Sequence, residues 1–197
     1  PVARLKTVPR AKWRDTILDG IDERLSVLKT DHIDVFNIHE VSDSYSRERF
    51  EFVLDVLKEL KGQGKIRAIG GVDHKMSFIA EVIRIFDCFD SIMIPYNFYN
   101  REAEILFPLC KVLNVGIVVM KSFCWPYYGI SFTNFYPNDF SASVLSPAQT
   151  SLRWILRSPE ISSVMVLFSP LDSLSVAMRA MAVPEASISR QPILPQL

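Results

Sequence analysis

Apolar residues recur along this chain at two alternating spacings. From Lys12 to Lys29, the residues Trp13, Ile17, Ile21, Leu25 and Leu28 fall on one helical stripe. The next segment, Ile33–His39, has the length of a strand and is apolar enough for a parallel strand covered on both faces. A second helical stripe carries Phe50, Val53, Leu54, Leu57 and Leu60, opens near Ser46 and stops at Gly62 and Gly64. Lys65–Gly70 reads as a strand, followed by a helix bearing Phe78, Ile79, Val82, Ile83 and Phe86. Ser91–Ile94 is a further strand, and Asn100 is placed to cap a helix holding Ile105, Leu106, Leu109 and Leu113. Gly116–Met120 is the next strand. Ser146-Pro-Ala-Gln149 is a capping box with proline at the first helical position. Ser163–Leu167 reads as the last strand, and Ser169-Pro-Leu-Asp172 opens a last helix with Leu171, Leu174, Met178 and Met181. At the other end, Val2–Lys6 is a short first strand.

Strands and helices that alternate one for one predict βα units around a parallel sheet. Six units can be counted, whereas a closed barrel of this type has eight. The expected fold is α/β, a TIM (β/α)8-type barrel present here as six consecutive units over residues 1–183, with an irregular proline-dotted tail over 184–197. Such a sheet has two open edges, Val2–Lys6 and Ser163–Leu167, and open apolar edges favour self-association. The rhythm fails over residues 121–145, a long segment with Trp125, Tyr127, Tyr128 and Phe135. Loops of that length tend to be functional, and this one suits a lid over a ligand.

Composition narrows the function. Twenty-two basic and 22 acidic residues cancel to a net charge of zero, so nothing steers the chain to nucleic acid or an anionic membrane. The apolar runs fall short of a bilayer span, and no signal peptide opens the chain. Three cysteines, Cys88, Cys110 and Cys124, lack C-x-x-C spacing. That argues against a disulfide framework or a metal site and for a reducing, cytoplasmic setting. Cys88 and Cys110 read as small buried hydrophobes.

In a parallel barrel the C-terminal strand ends converge on one mouth and carry the chemistry. His39, closing the Ile33–His39 strand, is therefore a candidate catalytic group. The words around it extend the argument. DHIDVFNIHE resembles the D-x-I-D-x-x-x-x-H segment of the aldo-keto reductases, and GKIRAIGGVDH (64–74) resembles their GKIRAIGVSNH. IPYNFYNRE (94–102) is similar to their YN…R-E turn, VGIVVMKSF (115–123) to the strand leading into their cofactor loop, and SPAQTSLRWILRSPEISSVMV (146–166) to their A-Q-x-x-L-R-W-x-L helix and final strand. The wording sits nearest the branch whose members often carry a ferredoxin-like extension, of which these residues show no sign. By this resemblance the six units are the third to eighth of the barrel, and the chain is expected to be a portion of a longer protein.

The resemblance implies a small-molecule aldehyde or ketone as substrate and NADP or NAD as hydride donor. It places His39 at the family histidine that orients and polarises the carbonyl, and Lys6, in RLKTVP, at the family lysine, with Lys12 as a rival. The family tyrosine and aspartate belong to the missing units. Tyr45, five residues past His39, is a distant substitute acid. On the cofactor side, Val72-Asp73 stands where a Ser-Asn pair holds the carboxamide, leaving Asp73 to bond. Met93 stands where a glutamine is usual and Met120 where a side chain packs on the nicotinamide; Lys121, the residue after it, is a cation within reach of phosphate. Ser169 keeps the phosphate-side serine, although Pro170 beside it has no N–H to offer. These losses carry a rival expectation from another class, a catalytically inactive relative that binds or regulates.

Overall fold

The computed structural model describes residues 5–39, 46–123 and 147–166. Helix α1 (Trp13–Leu28) leads into β1 (Ile33–His39), and α2 (Arg47–Gly62) into β2 (Ile66–Val72). Helix α3 (Met76–Phe86), β3 (Ser91–Pro95), α4 (Phe107–Val112) and β4 (Gly116–Met120) follow, then α5 (Pro147–Leu156) and β5 (Ile161–Val164). The five strands form one parallel sheet in sequential order, β1 to β5. Each return to the sheet runs through a helix, as parallel pairing requires.

Local chemistry sets the boundaries. The Ser46 side chain accepts a bond from the Arg49 amide and opens α2. Past its end, Gly64 takes a left-handed φ of 77° that glycine adopts without strain. The continuous helix expected over Ile105–Leu113 is instead a 3-10 turn (Glu102–Leu106) followed by α4. Pro108 explains the break, because it has no amide to donate to the preceding turn. Ile105 is consequently 75% exposed rather than buried. Leu28, on the predicted stripe of α1, is also exposed; Trp13, Ile17, Gly20 and Ile21 of that helix are buried, and Leu18 and Leu25 pack partly buried against the core.

The helices pack their apolar sides on one face of the sheet. That face presents Phe36 and Ile38 of β1, Ile69 of β2, Ile92 and Ile94 of β3, and Ile117 and Val119 of β4, all buried. On β1 the opposite face carries Val35, Asn37 and His39, which are exposed. The strand thus alternates, contrary to the expectation of cover on both faces. Along the opposite face, Asn37, Gly70, Ser91 and Gly116 stand in one register row across four strands. A Cβ added at Gly70 would lie 2.0 Å from Asn37 Oδ1, so the glycine makes room for that amide.

Three expectations about the ends need correction or fall outside. Leu5 and Lys6 lie in a 3-10 turn, not in a strand, and residues 1–4 of the expected Val2–Lys6 strand lie outside the described residues. Leu5 is fully buried in the core, so one apolar side chain there signals packing and not strand pairing. Among the described residues the sheet edges are therefore β1 and β5. The last strand begins at Ile161, two residues earlier than predicted, where Ser162 Oγ accepts from the Ile117 amide (3.1 Å) beside a register shift. Leu167, Ser169, the tail and the boundary at 183 lie outside the described residues, as do Tyr45 and residues 124–145. Among the described residues no helix is long and apolar enough to cross a membrane, and no cluster of His, Cys, Asp or Glu could hold a metal ion.

Candidate active site

Parallel strands deliver all their C-terminal ends to one side, and that side gathers most of the predicted residues. His39 closes β1 in register with Val72 of β2 and is exposed. Asp73 follows β2 and is 3% exposed. Its Oδ1 accepts from the amides of His74 (2.7 Å) and Lys75 (3.0 Å), pinning the turn that leads into α3. Met120, buried, closes β4, and Lys121 and Ser122 follow it. Val72 is buried beside Asp73 and has no polar group to offer a ligand. Met93 lies in the middle of β3, half-buried, in register with Val72 and Val118.

Lys121 has a φ of 56°, in the left-handed region that a residue with a Cβ enters at a cost of roughly 1–2 kcal/mol. Lys29 and Asp87 share this conformation as the caps of α1 and α3, and Asn114 follows the end of α4. Lys121 instead follows a strand. Its Nζ lies 3.3 Å from His74 Nδ1, so the end of β4 touches the turn after β2. Burial holds the Lys121 ammonium below the usual lysine range.

Two residues of this region were not singled out from the sequence. Asn97, two positions past β3 and buried, donates from Nδ2 to the Lys121 carbonyl (3.1 Å). Ser151, buried on α5, donates from Oγ to the Ser122 carbonyl (2.8 Å). Ser151 sits on the same helical stripe as Leu152 and Ile155, and a serine on a buried stripe needs a partner, which was the available signal. Asn97 lies inside the quoted IPYNFYNRE segment, but nothing in that segment marks which asparagine points inward.

The site is incomplete in two respects. Lys6 is exposed in its 3-10 turn, so no strand end presents it, and Ser169 lies outside the described residues. Cavities of about 330 Å³, lined by His32, Lys65 and Arg67, and about 250 Å³, lined by Cys110, Asn114 and Glu160, lie at the opposite, N-terminal strand ends. Neither belongs to the mouth.

The model of the aldo/keto reductase family matches residues 3–124. The chain is 30% identical over 112 residues to the aldo-keto reductase YhdN of Bacillus subtilis, covering 56% of this chain and 33% of that protein. It is 33% identical over 106 residues to the NADH-specific methylglyoxal reductase of Escherichia coli, covering 53% of this chain and 32% of that protein. The matched stretches thus span about a third of each curated relative. Among solved structures, the holo form of the aldo-keto reductase AKR11C1 from Bacillus halodurans superposes with a TM-score of 0.69 at 20% identity, over 87% of this chain and 62% of that one. The aldo/keto reductase from Klebsiella pneumoniae in complex with NADP and acetate gives 0.67 at 17% identity, with the same coverage. These likenesses establish the parallel sheet and its helices as part of a TIM-type barrel, of which five strands stand among the described residues. With the family match running over more than half of its residues, the chain belongs to the aldo/keto reductase family.

Proposed function

We propose that these residues form the larger part of a reductase barrel that converts an aldehyde or ketone to an alcohol with NADP or NAD. The observation that carries this reading is the end of β4, where a buried thioether (Met120) adjoins a cation (Lys121) held across the mouth. A polarisable apolar surface beside a positive charge suits an aromatic ring joined to phosphates. The relatives named for methylglyoxal reduction and solved with NADP support the same direction.

When bound, the dinucleotide supplies a hydride to the carbonyl carbon, while the oxygen gains a proton. The roles fall to this chain's residues as follows. His39, at the end of β1, orients and polarises the carbonyl oxygen. Asp73 accepts a carboxamide N–H, Met120 packs on the ring, and Lys121 meets a phosphate. By the resemblance Ser169 binds phosphate, and Lys6 would tune the acid from the 3-10 turn before α1 rather than from a strand end. The setting is the cytoplasm, consistent with free thiols at Cys88 and Cys110. Burial pushes these thiols up to about 12 and about 11, which leaves both protonated and inert at neutral pH. Among the described residues the sheet edges are β1 and β5, and open edges favour self-association.

A second reading, a dinucleotide-binding module without turnover, draws on Val72, whose apolar side chain stands beside Asp73 at the carboxamide position. One experiment separates the two. The full-length protein carrying these residues is titrated with NADPH and NADH and assayed for their oxidation with a generic aldehyde. Binding with turnover supports the reductase, binding without turnover supports the module, and no binding contradicts both.

A further inference from the structure

Lys121 keeps an unfavourable backbone conformation, and such conformations persist only where the surroundings over-determine them. Here the surroundings are two side chains from different elements. Asn97 grips the Lys121 carbonyl with Nδ2, while its Oδ1 accepts from the amides of Tyr99 (3.0 Å) and Asn100 (2.8 Å). Its own N–H donates to the Asn100 carbonyl (3.0 Å). The two amide acceptances fix which end of the Asn97 side chain is oxygen, so its NH2 must face Lys121. On the other side, Ser151 grips the next carbonyl, that of Ser122.

Both grips are themselves anchored. The Tyr96 hydroxyl donates to Glu104 Oε1 (2.8 Å), and Arg101 bonds the same carboxylate (2.7 Å). The Trp154 ring of α5 lies 5.2 Å from Tyr96 and 5.4 Å from Phe98, with the Arg101 guanidinium 5.7 Å above it. Helix α5 is thereby seated against the loop that carries Asn97, and Ser151 is held one turn before Trp154. Consecutive carbonyls after β4 are thus clamped from two directions. The result is an ammonium directed across the strand ends to within 3.3 Å of His74 Nδ1.

We infer that Asn97 and Ser151 are positioning residues that set the Lys121 backbone so that its ammonium meets a phosphate group of the dinucleotide, an inference that rests on the function proposed above. A lysine side chain loses much rotamer entropy when it is held in one geometry. Fixing its root and direction beforehand removes part of that cost from binding. Ser151 stands at one of the x positions of the A-Q-x-x-L-R-W-x-L segment, so that arm of the clamp is a property of this chain's own residues, while Asn97 belongs to the YN turn.

The test is a double-mutant cycle on the full chain, read by NADPH and NADH titration. Lys121→Met should weaken binding about tenfold, the scale of one charge-assisted bond. Ser151→Ala should weaken it roughly threefold alone and by less than about twofold on the Lys121→Met background, because coupled residues are non-additive. Asn97→Asp, which keeps the acceptor and loses the donor, should behave as Ser151→Ala does. If Asn97→Asp fails to fold, Ser151→Ala carries the cycle alone. A second readout needs no dinucleotide: Ser151→Ala should shift the His74 ring resonances in the direction that Lys121→Met shifts them. Additive losses, or His74 resonances indifferent to Ser151→Ala, overturn the inference and leave the role of Lys121 standing. A Lys121→Met variant that binds as the parent does overturns that role and the inference together.

Discussion

Lys121 Nζ lies 3.3 Å from His74 Nδ1, joining residues that are 47 apart in sequence at the mouth of the sheet. Burial lowers the Lys121 pKa from an ordinary lysine's 10.5. The sign follows directly. Below the lowered pKa the ammonium is present and can meet phosphate, and as pH rises through it the charge is lost before 10.5 is reached. Dinucleotide affinity should therefore fall over the alkaline range, and Lys121→Arg should abolish the fall because guanidinium stays charged. Titrations from roughly pH 7 to 10 measure it, since few other side chains lose a positive charge there. An affinity that stays flat to 10.5 contradicts the assignment. Folding stability carries the opposite sign, because the unfolded chain holds the proton more tightly and the penalty is relieved as pH rises.

Two glycines should respond in opposite directions to the same substitution. A Cβ at Gly71 would lie 2.7 Å from the Phe89 ring, which is buried and packs edge-on against Phe50 at 6.3 Å. Gly71→Ala should destabilise by about 1–3 kcal/mol, because a packed ring must move. Gly62, at the end of α2, has nothing within 4 Å of its added Cβ. Gly62→Ala should be neutral or stabilise by up to roughly 1 kcal/mol. Denaturant melts of both variants decide it, and equal midpoints would contradict the packing described.

Asp90 ties three strands at the opposite end of the sheet. Its Oδ2 accepts from the Ile69 amide (2.8 Å) and the Lys61 ammonium (2.6 Å), and its carbonyl accepts from Gly116 (2.9 Å). Asp90→Ala should cost about 1–3 kcal/mol, since it strands a backbone donor as well as breaking an ion pair. Glu59→Ala, which breaks an exposed pair with Arg14 at 2.7 Å, should cost less than Asp90→Ala because solvent screens the pair. Chemical denaturation of the two variants compares them, and a cost for Asp90→Ala no larger than that for Glu59→Ala would contradict the account.

The regular elements were legible because their signals are local. Gly116–Met120 is legible to the residue, the Ser46 side chain caps α2 within one turn, and α5 starts at Pro147 as predicted. The split at Pro108 was also local and was missed, because helical spacing of Ile105, Leu106 and Leu109 outweighed the proline. Leu5 misled for another reason: a buried apolar residue does not say which backbone conformation buries it. At the mouth, the positions of His39, Asp73, Met120 and Lys121 are legible because each ends or follows a strand. Asn97 and Ser151 were not, because their partners are backbone carbonyls 24 and 29 residues distant. A carbonyl carries no side-chain signature, so only the fold reveals such bonds.

The function proposed for the strand ends is carbonyl reduction with His39 in contact with the substrate. The most direct measurement is the rate of NADPH and NADH oxidation with a generic aldehyde, for the full-length protein carrying these residues and for its His39→Ala variant. The account predicts turnover in the parent and a loss of roughly 10²-fold or more in the variant, with dinucleotide affinity unchanged. A variant that turns over as fast as the parent would contradict it.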